Sequence, residues 1–174
     1  MKIFKVLLSF VFGTVLGTVV SMFTPMGFLG SGAVFAISLI MMMYVWRGVD
    51  FPKLTALRAM LFFLVSTLAC FLAVYFVVDY SSRSDFSFEI NQNIFFVAGF
   101  MGAFVTSLAF VKIFKINVSL VSLVILSVLG GAMGYLILND NISLVIFASL
   151  GLWQGVILAG LVFLALNQKK EITS

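Results

Sequence analysis

The chain has 174 residues, of which 63% are hydrophobic and only 9% charged, with ten Lys plus Arg, six Asp plus Glu and no His. A soluble domain needs roughly 25% charged residues to cover its exterior, so this composition, with a mean hydropathy of +1.27, excludes both a soluble exterior and a disordered chain. The single Cys70 excludes a disulfide scaffold, and the lack of His excludes a His-ligated metal centre.

Residues 6–46 carry no charge, a run twice the roughly 20 residues needed to cross about 30 Å of hydrocarbon. The run divides into two helices, at about 4–24 and 29–46. The break falls at Thr24-Pro25-Met26-Gly27, because Pro25 lacks a backbone donor and Gly27 admits turn conformations. Lys2 and Lys5 precede the first helix as they would a secretory leader, but its apolar stretch is longer than a leader's core and reads as a retained span. Further uncharged runs follow at 59–78, 90–111, 116–139 and 141–168. Each accommodates one helix, placed at about 59–78, 93–111, 117–138 and 142–166. Backbone groups cannot go unpaired in lipid, and the runs lack the alternation of barrel strands. The fold class is therefore an all-α integral membrane protein, a six-transmembrane-helix bundle forming a single polytopic domain.

Orientation follows from Lys and Arg near the span ends. Six spans place Lys2, Lys5, Arg47, Lys53, Arg58, Lys112, Lys115, Lys169 and Lys170 on one side and leave Arg83 on the other. Both termini are thus expected in the cytoplasm, with the protein in a plasma membrane or bacterial inner membrane. Tyr44 and Trp46 fall at an inner end and Tyr75, Tyr80 and Tyr135 near outer ends, as interfacial aromatics do. The basic residues are split among four short segments, which fits anionic headgroups and not nucleic acid.

Chemistry has few places to reside. The interior of the spans holds no charged residue, which argues against proton-coupled pumps, voltage sensors and charged filters. Without His, the usual Ser and Cys nucleophile pairs cannot form, and no cofactor or metal is implied. One carboxylate pair remains, because Asp79 closes the third span and Asp140 follows the fifth, and an aspartyl-type intramembrane enzyme would need both at the outer face. Charged residues also end spans and simply stay solvated.

The sixth span carries Gly151-Leu152-Trp153-Gln154-Gly155 near its middle. An amide left unpaired in hydrocarbon is costly, so Gln154 must face another helix, a ligand or a wet cavity. Trp153, Gln154, Gly151 and Gly155 are the candidate ligand-binding residues, with interhelical packing as the plainer use. Small residues also recur every four positions at Gly13, Gly17 and Ser21, at Gly151, Gly155 and Ala159, and at Gly130 and Gly134. Such faces allow close helix approach, either inside the bundle or against a second subunit.

Two connections stand out. In the inner segment 47–58, Asp50 is a candidate cap with Pro52 in the first turn of the next helix, and three cations with exposed aromatics suit headgroups or a docking protein subunit. The outer segment 79–92 alternates Phe86, Phe88 and Ile90 with polar residues, as an extended or lid-like strip would. The sequons at Asn117 and Asn141 fall in the cytoplasm and against the membrane, where glycosylation is not expected. The two three-helix halves, if related, would be inverted repeats. The functional expectation is a non-enzymatic membrane subunit that binds or transports a small uncharged or lipophilic molecule beside the sixth span. Its alternatives are a scaffold subunit of a larger complex and the aspartyl enzyme.

Overall fold

The computed structural model describes residues 2–23, 27–45, 55–83, 92–136 and 143–167. These form six helices: α1 Lys2–Phe23, α2 Gly27–Val45, α3 Ala56–Arg83, α4 Gln92–Phe114, α5 Leu120–Leu136 and α6 Ser143–Asn167, with no strand among the described residues. Three helices have apolar stretches long enough to cross a membrane, Lys2–Val20, Ala56–Val77 and Asn93–Phe114, of 19, 22 and 22 residues. The described apolar stretches of the others, Gly32–Val45, Leu120–Tyr135 and Gly151–Asn167, are shorter.

Each helix packs on the next in sequence, and α1 closes the circuit on α6, which also touches α2 and α4. Neighbours run antiparallel. Phe62 meets Phe110 and Phe114 near the start of α3 and the end of α4, while Ala73 meets Gly102 further along both. Gly13 faces Gly155 and Gly17 faces Gly151, and Lys2 Nζ donates to Asn167 Oδ1 at 3.3 Å. The start of α1 and the end of α6 therefore share one end of the bundle. By the same alternation, so do Arg58 at the start of α3 and Lys112 and Lys115 at the α4–α5 turn.

The surface is apolar. Ile3, Leu7, Val11, Val15 and Val19 form an exposed stripe on α1, and Leu57, Leu61, Leu64, Leu68 and Leu72 do so on α3. The inside holds Phe35, Leu39, Met43, Phe62, Phe110, Leu158, Leu161 and Val162, together with Ser9, Ser38, Ser66, Thr106, Ser107, Ser127 and Gln154. Hydroxyls buried beneath an aliphatic exterior reverse the soluble pattern and match a lipid solvent. Among described side chains of α6, only Leu152, Phe163 and Asn167 are exposed.

Several boundaries differ from those the sequence suggests. α3 begins at Ala56, and its cap is Thr55, whose Oγ1 accepts from the Arg58 amide at 3.3 Å. Asp50, expected in that role, lies outside the described residues, as do Pro52 and the rest of 46–54. The same helix continues past Asp79 to Arg83, five residues into the expected outer connection. No Gly or Pro interrupts Asp79-Tyr80-Ser81-Ser82-Arg83, so a charge that ends the apolar run does not end the helix. α4 runs to Phe114 and stops at Lys115, which takes the left-handed conformation with φ of 54°. The Ile116 amide donates back to the Val111 carbonyl at 2.9 Å, and Ile116 and Val111 are both buried, the hydrogen bond and apolar contact of a Schellman ending. α5 consequently begins at Leu120 and not near 117, with Ser119 Oγ accepting from the Ser122 amide at 3.2 Å.

Left-handed backbone costs a non-glycine residue roughly 1–2 kcal/mol. Lys115 is exposed, so Lys115→Gly is expected to stabilise the protein by up to about 1 kcal/mol. A rise in the melting temperature in detergent, followed by helical circular dichroism, checks this.

Candidate functional site

The glycines of α1 and α6 interlock. A Cβ built on Gly13 would lie 3.1 Å from Gly155 Cα, and one on Gly17 3.0 Å from Gly151 Cα, so these helices meet backbone to backbone. A Cβ on Gly155 would strike Thr14 Oγ1 and lie 2.7 Å from the Phe10 carbonyl oxygen, and one on Gly151 would strike Thr18 Oγ1 and lie 2.5 Å from the Thr14 carbonyl oxygen. Each threonine hydroxyl of the Gly-Thr pairs in α1 thus fills the space of a missing methyl group on α6. The row Gly13, Gly17 is covered by this contact; the side chain of Ser21 lies outside the described part of the structure.

The fifth helix repeats the device. A Cβ on Gly130 would meet Ala103 Cβ at 2.5 Å, and one on Gly134 would strike the Phe95 carbonyl oxygen. Gly99 is the counterpart on α4, where a Cβ would lie 2.6 Å from the Gly130 carbonyl oxygen. Phe95, Gly99 and Ala103 recur every four residues, a row the sequence offered as plainly as the others. The glycines of all three rows are therefore turned inward and covered by neighbouring helices. A third close approach joins α2 to α3, where Ser66 Oγ donates to the Gly32 carbonyl at 3.2 Å.

Trp153 and Gln154 point to different places, since successive helical residues are about 100° apart. Gln154 is 1% exposed and occupies the notch at Gly17, where a Cβ would lie 2.7 Å from Oε1 and 2.9 Å from Cδ. It is part of the α1–α6 seam. Trp153 turns the other way, toward α2, α3 and α4. Its ring lies 6.0 Å from that of Phe35 at an interplanar angle of 53°. A Cβ on Gly102 would sit 3.7 Å from Trp153 Cζ2 and 3.9 Å from Ala73 Cβ. The indole thus lies against Phe35 of α2 and Gly102 of α4, with Ala73 of α3 on the far side of Gly102.

Polar satisfaction separates this indole from the hydroxyls around it. Ser9, Ser38, Thr67 and Ser127 each donate to the carbonyl one turn back, on Lys5, Val34, Phe63 and Leu123, at 2.7 to 2.8 Å. Thr14 Oγ1, Ser107 Oγ and Trp153 Nε1 are buried without a hydrogen-bond partner among the described residues. A Thr or Ser hydroxyl rotates and has its own helix's carbonyls in reach. The Trp153 N–H is a donor only, held away from its own backbone by a rigid ring. Leaving such a donor unpaired costs about 1–3 kcal/mol.

Several other candidates fall outside the described residues. Asp79 lies in the final turns of α3, whereas Asp140 is outside the described residues, as are Asn141 and the segment 84–91 with Phe86, Phe88 and Ile90. Asn117 is exposed in the α4–α5 turn. No three His, Cys, Asp or Glu side chains gather among the described residues. No protein family, curated protein or solved structure matches the chain.

Over-packing a close helix contact costs roughly 1–3 kcal/mol. Gly155→Ala is expected to lower stability by about that much, because a methyl group there meets a backbone oxygen. Gly102→Ala, whose methyl would make only ordinary contacts, should change stability little. Thermal unfolding of the two variants side by side in detergent distinguishes them.

Proposed function

We propose that this chain is a non-enzymatic, multi-pass membrane protein whose six helices all cross the bilayer, and that it binds or carries a small uncharged or lipophilic molecule between α2, α3, α4 and α6. The observation that carries the binding reading is the buried Trp153 N–H, without an acceptor among the described residues, on a ring that packs beside Phe35 and Gly102 in the bundle's interior. Buried donors without a partner are rare in native proteins, and each calls for a partner beyond the described residues, such as a bound molecule. The ligand is uncharged on this reading because every described Asp, Glu, Lys and Arg sits in the first or last two turns of a helix or in the α4–α5 turn, leaving no counter-ion at depth.

Alternating helix directions and the cations gathered at one end support six crossings, with that end in the cytoplasm. A plasma membrane or bacterial inner membrane is the setting this implies. Reporter fusions at positions 50 and 114 should report cytoplasm and those at 85 and 140 the opposite side; an outward signal at 50 or 114 overturns the topology. The scaffold alternative has less to stand on, since Gly13, Gly17, Gly130 and Gly134 face inward. It would have to use the segment 47–58 or the lipid-facing stripes.

The binding reading is tested by Trp153→Phe, which keeps an aromatic ring and removes the N–H. Native mass spectrometry from mild detergent should find a small molecule retained by the wild type and lost from the variant, with helical circular dichroism unchanged. A wild type that retains nothing, or a folded variant that retains as much, overturns it.

A further inference from the structure

Resting on that reading of the interior as a binding site, we infer that the molecule it takes is a neutral, largely apolar compound with a carbonyl-type oxygen, which accepts a hydrogen bond from Trp153 Nε1. The indole N–H can donate but not accept, so its complement must present a lone pair; an alcohol used as a donor, or a hydrocarbon, leaves it unsatisfied. Beside the indole stand the Phe35 ring and the bare Gly102 backbone, with the Ala73 methyl group next to Gly102. Neither neighbour brings a side-chain acceptor, and no described residue partners the N–H, so the acceptor is assigned to the bound molecule. A bridging water is a poorer complement, because a buried water needs two to four polar partners and these walls supply apolar surface. The Phe35 ring, tilted 53° to the indole, adds an aromatic surface against which a flat, conjugated carbonyl compound packs well.

The test uses indole-15N-labelled Trp46→Phe protein in detergent, in which Trp153 gives the one indole N–H resonance, titrated with cyclohexanone and, separately, methylcyclohexane. Cyclohexanone should move the resonance downfield in a saturable way, as a hydrogen bond to oxygen does, while methylcyclohexane should not. The ketone shift should vanish in Gly102→Leu and in Ala73→Leu, which fill the space from two different helices. Its persistence in either variant, where circular dichroism reports native helicity, overturns the assignment of the site. Saturable perturbation of the ring signals by both compounds with the N–H unmoved leaves an apolar binding site and overturns the acceptor. No saturable response to either compound overturns both the acceptor and the binding site. A resonance already at a hydrogen-bonded position and indifferent to both probes means that water or the chain satisfies the donor, and overturns the inference.

Discussion

Helices surrounded by apolar solvent have little hydrophobic reason to leave it for one another, so what joins them is close packing and the few polar contacts that packing permits. In this protein that constraint is met where backbones touch, at Gly13 against Gly155, Gly17 against Gly151 and Gly99 against Gly130. The large side chains are then free to point either outward, as Leu64 and Leu68 do, or into the middle, as Phe35, Phe62 and Phe110 do. Everything distinctive about the interior follows from those contacts. With α1 drawn onto α6 at its glycines, Gln154 is captured in the seam, and Trp153 is turned by one helical step toward Phe35 of α2 and Gly102 of α4.

The interior is polar in a quiet way. Its hydroxyls are mostly engaged within their own helices, so they contribute little to holding the bundle together. Ser66, which reaches across to Gly32, departs from this, and it does so beside a glycine where the backbones already approach. Packing therefore sets the arrangement, and polar groups adapt to it. The indole of Trp153 cannot adapt, because a ring nitrogen has no carbonyl of its own within reach. That asymmetry makes it chemically conspicuous in a core that otherwise looks like helix glue.

Much of the fold was legible in the sequence because the charges punctuate it: the uncharged runs locate all six helices within a few residues. Their ends were less legible where a helix outlasts its uncharged run, as at Asp79 to Arg83 and at Lys112 to Phe114, and at Lys115 a left-handed turn is imposed on a residue with no special preference for it. Which faces pack together was harder still. These helices are apolar nearly all round, so periodicity does not mark an inside; the glycine rows do, but a row names no partner. Gly130 and Gly134 were visible, yet Gly99 and Ala103 opposite them were overlooked, as were the threonines following Gly13 and Gly17. Trp153 and Gln154 read as a pair because they are adjacent in sequence, and the roughly 100° between successive helical residues sends them to different neighbours of α6.

The seam between α1 and α6 joins the first helix of the bundle to the last. During synthesis the glycine face of α1 therefore has no partner until α6 has been made, whereas α2 with α3 and α4 with α5 can pair as soon as each emerges. The most intimate contact in the molecule is also the most distant in sequence, and such contacts form late. Completion of the bundle thus waits for α6: Gly13, Thr14, Gly17 and Thr18 of α1 stay uncovered until it arrives, and its arrival brings Trp153 against Phe35 and Gly102.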